Sequence, residues 1–189
     1  GQGAEHSSCR VERFLQQVDE DPDVIPPMAE EERMQIQRCN WQVVNCTPPA
    51  NYYHVIRRQL HRDFRKPLIV VTPKNLLREK RCTSTLEEMA DDTKFMRCYR
   101  EQNPEIIGNP DKVRRIIMCS GKIYYELLEE REKKGYTDVA ILRVEQIAPF
   151  PWDHVADECA HFPNADVVWC QEEPKNMGPW SFVQPRIAT

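Results

Sequence analysis

The sequence predicts an α/β protein, because short apolar runs alternate with helical stretches along most of its length. Residues 68–71 form a continuous apolar run, which is typical of a strand buried on both faces. Further strand-like runs and helical stretches then alternate in order: strands at 116–119, 139–144 and 167–170, and helices at 122–134 and 152–159. Such alternation indicates parallel strands joined by right-handed crossovers.

The chain opens on a segment that contains two glycines and runs directly into a helix. Apolar residues recur there at helical spacing and predict one buried face: Val11, Phe14, Leu15 and Val18. Ser7 or Ser8 is the expected N-cap. His6 is then expected beside a helix amino terminus, where backbone N–H groups favour an anion and an imidazole can exchange a proton. The alternative, an ordinary surface histidine in a glycine loop, stays open.

Residues 19–38 are acidic and interrupted by proline, which predicts a surface excursion. Residues 42–46 predict a short strand, and the prolines after Thr47 favour the start of a helix. In that helix one face is expected to be buried: Tyr53, Ile56, Leu60 and Phe64. Basic residues crowd its other faces: Arg57, Arg58, His61, Arg62 and Arg65. A solvated surface and an anion-binding surface are both compatible with this pattern.

The pattern of helices and strands loosens between residues 72 and 109, where Pro73, Pro104, Gly108 and Pro110 mark turns, and we expect a linker there before a second α/β unit. In that unit Gly135 is the expected helix stop. Ligands of such sheets bind at the carboxyl ends of the strands. Residues 120–121, 145–146 and 171–173 are expected at that edge.

Composition limits the class of protein. The formal net charge of −4 argues against general nucleic-acid binding, and no apolar run is long enough to span a bilayer. The eight cysteines form no Cys-x-x-Cys pair and are expected to be reduced thiols. No histidine has metal-ligand spacing, so no metal site is predicted.

Residues 1–16 follow the pattern Gly-x-Gly-x-Glu-His-Ser-Ser-x-Arg-x-Glu-Arg-Phe-Leu-Gln. This pattern resembles a signature of the thiamine-dependent decarboxylating component of 2-oxoglutarate dehydrogenase. Four further stretches resemble the same family, in the same order: 47–74, 120–125, 143–146 and 169–174. Ala4 and Cys9 depart from the signature, since the family usually has proline and a small residue there.

The resemblance implies a fragment of a longer chain. Residues 1–75 would be the end of a pyrimidine-binding, transketolase-like domain. Residues 76–112 would be a linker. Residues 113–189 would form a truncated C-terminal domain, resembling that of transketolase, with three layers and a mostly parallel sheet.

The resemblance also implies a reaction. The complete enzyme would use thiamine diphosphate with magnesium to decarboxylate 2-oxoglutarate in the tricarboxylic acid cycle, and would pass the succinyl group to a lipoyl arm. His6 is expected to hydrogen-bond the substrate, with Ser7 supporting its loop. The main cofactor motif is absent from this sequence, so the fragment alone is expected to be inactive.

Partners and location follow from the same resemblance. We expect a homodimer that works with a lipoyl-bearing succinyltransferase and dihydrolipoamide dehydrogenase. The acidic excursion at 19–38 resembles the longer eukaryotic members, which favours the mitochondrial matrix.

Relatives bind acetyl-CoA or adenylate effectors, and Arg58, Lys94 and Gln146 match effector-contacting positions. Asp153 stands where one relative has an effector-binding arginine, and its charge would repel a phosphate. Two alternatives remain: a 2-oxoadipate-specific relative, and a non-catalytic dimerisation or effector-binding module. Residues 167–170 and 178–182 would suit an interface in the second case.

Overall fold

The computed structural model describes residues 9–28, 32–90 and 92–189. Its α-helices are α1 Val11–Leu15, α2 Glu32–Arg38, α3 Pro49–His61, α4 Pro104–Ile107, α5 Ile123–Lys134, α6 Trp152–His161 and α7 Trp180–Ala188. Its strands are β1 Gln42–Val44, β2 Leu68–Val70, β3 Cys98–Tyr99, β4 Arg115–Cys119, β5 Val139–Val144, β6 Gln146–Ala148 and β7 Asp166–Cys170. Short 3₁₀ turns lie at Lys74–Leu77, Glu87–Met89 and Pro110–Lys112.

The strands form two sheets. The first has the order β2-β1-β6, with β1 parallel to β2 and antiparallel to β6. The second has the order β3-β5-β4-β7, in which β4 is parallel to both β5 and β7, and only β3 is antiparallel. The α/β prediction and the mostly parallel second sheet are therefore confirmed.

The short strand β6, although it follows β5 of the second sheet in sequence, belongs to the first sheet. The chain leaves β5 in the second sheet, passes Glu145 and pairs with β1 through β6. The backbone N–H groups of Glu145 and Gln146 both donate to the carbonyl of Arg97. One apolar core accordingly extends across both sheets, from Val43 in β1 to Leu142 in β5 and Phe150 after β6.

The opening helix packs as its spacing predicted. Val11 and Leu15 are buried in the common core, and Phe14 and Val18 pack against it while half-buried. The N-cap, however, is Arg10, in the left-handed region at a φ of 53°. Ser7 and Ser8 lie outside the described residues, as does His6.

The predicted buried face of α3 is wrong. Tyr53, Ile56 and Leu60 are 45%, 39% and 70% exposed, whereas the buried residues of the helix are Ala50, Asn51, His54 and Val55. The polar members of this inner face are hydrogen-bonded: Asn51 Nδ2 to the Met96 carbonyl and His54 Nε2 to the Glu88 carbonyl. The spacing of apolar residues identifies one face of a helix. It cannot show that polar residues on the opposite face have hydrogen-bond partners in the core and are therefore the buried ones.

The acidic stretch is not wholly a surface excursion. It ends in α2, where Ile36 is buried, and Glu20 accepts hydrogen bonds from the Phe150 N–H, Gln35 Nε2 and Arg186 Nε. Phe150 and Arg186 are more than a hundred positions away in sequence, so the local acidic composition could not indicate them. β2 differs from expectation too, because it is an edge strand of the described sheet and its residues are only half-buried.

Candidate functional site

The carboxyl ends of β1, β4 and β7 meet in a small cleft beside the start of α1. The cleft is lined by Val11, Asn45, Val71, Ser120, Ile147, Trp169, Gln171, Glu173 and Pro179. The expectation that residues 120–121 and 171–173 lie together at this edge agrees with the geometry. Glu145 and Gln146 are instead fully buried, and Gln146 is the first residue of β6.

A close approach of two turns shapes the floor of the cleft. Gly121 has a φ of +74°, and a Cβ added to it would lie 2.3 Å from Asn45 Nδ2, so this position requires glycine. Ser120 Oγ donates to the Val144 carbonyl, which ties the same turn to β5. Asn45 Oδ1 is buried and has no hydrogen-bond partner among the described residues.

Gln171 organises the loop that forms one wall. Its Nε2 donates to the carbonyls of Glu173, Pro174 and Met177, at 3.2, 3.1 and 2.7 Å. Its Oε1 accepts from Trp169 Nε1 and from the Trp180 N–H. Both ends of the amide are thus engaged within the protein, and Gln171 fixes the course of residues 171–180. Residue patterns could not indicate this role, since the acceptors are backbone carbonyls.

Glu173 and Glu172 have different surroundings. Glu172 pairs with Lys122 Nζ at 2.9 Å. Glu173 is half-buried, and its pKa is raised, first by burial and then by the charges of Glu172 and Glu12. The cleft therefore contains one carboxyl group that holds its proton more tightly than usual.

The residues matched to an effector site lie around β1. Arg58 donates to Gln42 Oε1 at 2.8 Å, and its guanidinium lies 4.1 Å from the centre of the Phe95 ring. Lys94 precedes Phe95 and is exposed. Gln146 is fully buried; its Nε2 donates to the Pro149 carbonyl, and its Oε1 has no hydrogen-bond partner within the described ranges.

Asp153 does not carry an isolated negative charge. It forms an ion pair with Arg97 Nη2 at 2.5 Å. Burial raises the pKa of Asp153, but the hydrogen bond and charge of Arg97 outweigh this effect and lower it. The expected repulsion of a phosphate is therefore offset by Arg97.

A buried polar network joins the two sheets at Glu145. Its carboxylate accepts hydrogen bonds from the Thr47 N–H and hydroxyl at 2.7 and 2.5 Å, and from Asn51 Nδ2 at 2.9 Å. Arg143 donates to the Thr47 hydroxyl oxygen and lies between the rings of Tyr99 and Tyr124. This network attaches the amino end of α3 to the end of β5.

Thiamine diphosphate and magnesium do not fit the described residues alone. Between residues 9 and 189, outside the two short gaps, no group of three or more His, Cys, Asp or Glu residues could hold a metal ion. Among the described residues, the lining of the cleft includes the Glu173 carboxyl and no lysine or arginine to meet a diphosphate. In the same residues no helix is both long and apolar enough to cross a membrane.

Two family models match the chain. The model described as "Transketolase, pyrimidine binding domain" matches residues 1–80, and the model described as "2-oxoglutarate dehydrogenase C-terminal" matches residues 83–189.

Three similar proteins come from a slime mould and from bacteria. The mitochondrial 2-oxoglutarate dehydrogenase of Dictyostelium discoideum is 54% identical over 185 residues, which cover 98% of this chain and 18% of the relative. The 2-oxoglutarate dehydrogenase E1 component of Brucella anthropi is 49% identical over 193 residues, 99% of this chain and 18% of the relative. That of Brucella ovis is also 49% identical, over 99% of this chain and 17% of its own length.

The chain thus spans less than a fifth of each of these relatives. The similarity nevertheless runs through nearly all of its residues, from the opening signature to the loop built on Gln171. The chain belongs to the family of 2-oxoglutarate dehydrogenase E1 components.

Proposed function

We propose that the longer protein to which this chain corresponds decarboxylates 2-oxoglutarate and transfers the succinyl group to a lipoyl arm, as a step of the tricarboxylic acid cycle. This chain would supply one wall of the reaction site. The observation that carries the proposal is the 54% identity to a 2-oxoglutarate dehydrogenase, which extends over 98% of the chain. The cleft beside α1 supports it, because this helix directly follows the signature segment that contains His6.

His6 is the proposed catalytic residue of this segment. An imidazole N–H can donate to the substrate oxygen on which negative charge develops, which stabilises the transition state. Ser7 would support the same loop.

Thiamine diphosphate with magnesium would be held mainly by parts of the protein outside this chain. When bound, the cofactor supplies the electron sink for loss of carbon dioxide.

We also propose that residues 1–75 are the end of the pyrimidine-binding domain, that residues 76–112 are a linker and that residues 113–189 belong to the C-terminal domain. The proposed partners are a second copy, the lipoyl-bearing succinyltransferase and dihydrolipoamide dehydrogenase. The mitochondrial matrix is the proposed location, by analogy with the Dictyostelium protein.

A contact surface is the second candidate function. The solvent side of α3 exposes Tyr52, Tyr53, Ile56 and Leu60, a composition that favours protein interfaces. Val167 and Val168 in β7 are also partly exposed, in agreement with the expected interface strand. The segment 178–182 is different, because Phe182 is buried in the chain's own core.

Carbon dioxide release tests the proposed reaction and separates it from the 2-oxoadipate alternative. The longer protein, supplied with thiamine diphosphate and magnesium, is given 2-oxoglutarate or 2-oxoadipate with ferricyanide as electron acceptor. We expect a higher kcat/KM for 2-oxoglutarate. A higher value for 2-oxoadipate would reassign the substrate, and no turnover of either would leave the contact surface as the remaining function.

An effector site at Arg58, Lys94 and Gln146 is a further part of the proposal. Its support is that Arg58 lies over the ring of Phe95, the residue next to Lys94 in sequence, and that Oε1 of the buried Gln146 has no hydrogen-bond partner among the described residues. The ion pair between Arg97 and Asp153 removes the main electrostatic objection. The ligand would be acetyl-CoA or an adenylate, whose phosphates suit guanidinium donors.

Replacing Arg58 with alanine is expected to weaken acetyl-CoA binding by roughly ten-fold or more, because a charge-assisted hydrogen bond contributes about 1.5–3 kcal/mol. Isothermal titration of the longer protein measures this change. Arg57→Ala is the matched control, since it removes the same charge from the exposed side of the same helix. Equal affinities in the wild type and Arg58→Ala would eliminate the effector site.

A further inference from the structure

A hydrogen bond connects the C-terminal loop to the helix that follows the signature segment. The Gly178 N–H donates to Glu12 Oε2 at 3.1 Å, across 166 positions of sequence. Gly178 is buried and has a φ of +68°, and a Cβ added to it would lie 3.0 Å from the Glu173 carboxyl. The position therefore requires glycine, and the direction of its N–H group is fixed by the backbone.

The loop that presents this N–H group is itself rigidly organised. Gln171 engages three carbonyls between residues 173 and 177 as well as the Trp180 N–H. Gly178 lies inside the segment held in this way. The donor to Glu12 consequently belongs to a preorganised loop.

α1 needs such contacts to hold its position. It has only five residues, and an isolated helix of that length is unstable in water. Its apolar side packs with Phe182 in the common core. Beyond its end, Glu20 accepts from Arg186 Nε of α7 at 2.9 Å. The C-terminal part of the chain thus contacts α1 at Glu12, packs against its apolar side, and binds Glu20 in the segment that follows the helix.

We propose that Glu12 is a positioning residue for the reaction, which holds α1 beside the cleft through the Gly178 N–H. The inference rests on the proposed function, since it acts through the segment that contains His6. Misplacement of a catalytic group by about 1 Å can cost roughly 100-fold in rate. A contact that sets the position of this segment therefore affects turnover without touching the substrate.

Two substitutions at position 12 test the role in the longer protein. Glu12→Ala is expected to lower kcat for 2-oxoglutarate by roughly 10- to 100-fold with little change in KM or Tm. Glu12→Gln is expected to remain close to the wild type, because an amide oxygen accepts the same hydrogen bond. Glu129→Ala, at an exposed position of α5, is the matched control. Equal losses in Glu12→Ala and Glu12→Gln would overturn the proposal, because the charge and not the hydrogen bond would then matter.

A substitution in the loop of residues 171–180 tests the same contact between Gly178 and Glu12. Gln171→Glu keeps the size of the side chain but removes the donors to the three carbonyls, so the loop and its Gly178 N–H should shift. We expect the same fall in kcat at nearly constant KM. A wild-type kcat in this variant would contradict the proposed connection.

Measuring backbone amide hydrogen exchange distinguishes two outcomes: that Glu12 does not hold α1 in place, and that the longer protein is not a decarboxylase. The peptide covering residues 9–18 is expected to exchange faster in Glu12→Ala than in the wild type and Glu12→Gln. If the wild type lacks decarboxylase activity, the proposed function fails while exchange still decides the connection. If the wild type is active, and Glu12→Ala changes neither kcat nor exchange, the positioning role is eliminated and the proposed function stands.

Discussion

Replacing Glu145 with alanine is expected to lower the free energy of unfolding by about 3–5 kcal/mol, the usual cost of breaking a buried charged network. The side chain is fully buried and accepts three hydrogen bonds, two from Thr47 and one from Asn51. Without it these donors would lose their acceptor, and the negative charge that interacts with Arg143 would be removed. Because the network joins the two sheets, the loss should affect both.

Differential scanning fluorimetry of the longer protein checks this expectation as a fall of several degrees in Tm. Glu130→Ala is the control, because Glu130 is exposed and its pairing with Lys134 at 3.6 Å contributes little. A Tm equal to that of the control would contradict the role assigned to Glu145.

The same residue predicts a pH dependence. Burial raises the pKa of Glu145, and the charge of Arg143 and the hydrogen bonds from Thr47 and Asn51 offset this only in part. The native state therefore binds the proton more tightly than the unfolded state, in which the pKa is about 4.3. Stability contributed by residue 145 is greatest below that value and falls as the pH rises through the native pKa. Relative to Glu145→Gln, the wild-type Tm should decrease from acidic to neutral pH, and a constant difference would contradict the shift.

Replacing His6 with alanine is expected to reduce kcat for 2-oxoglutarate decarboxylation by roughly 10²- to 10⁴-fold, the range for loss of a positioned proton-transfer group. Folding should change little, because Val11 and Leu15 anchor α1 in the core. Steady-state kinetics with ferricyanide measure the change, and size-exclusion chromatography measures dimerisation.

His61→Ala is the control for His6→Ala, since it removes an exposed histidine from α3. A large loss in His6→Ala with an intact dimer would support the active-site role. Near-normal turnover would leave the segment with a structural role only, and the contact surface of α3 would become the more important feature of the chain.

Local patterns were sufficient for much of the fold. Gly135, with a φ of +66°, ends α5 as predicted, and β5 spans residues 139–144 as its apolar run indicated. These features depend on neighbours in sequence: a residue suited to the left-handed region and a mostly apolar run that includes Val139, Ile141 and Val144.

Features with distant partners could not be predicted in the same way. β6 has three residues and pairs with a strand about a hundred positions earlier. Glu20 is one acid among several in its stretch, and only the fold brings Arg186 and the Phe150 N–H to it. The inner face of α3 is polar because Glu145 and the Met96 carbonyl meet Asn51 there. For the candidate site, the sequence indicated which residues lie at the carboxyl edge of the sheet. The hydrogen bonds by which Gln171 holds one wall of the cleft could be seen only in the structure.

The central proposal is that this chain is part of a thiamine-dependent 2-oxoglutarate decarboxylase. Its most direct test is carbon dioxide release from carboxyl-labelled 2-oxoglutarate by the longer protein, with and without thiamine diphosphate and magnesium, beside the chain of 189 residues alone. We predict release by the longer protein only when the cofactor and metal are present, and none by the chain alone. Release that is unchanged without the cofactor, or absent when the cofactor is supplied, would contradict the account.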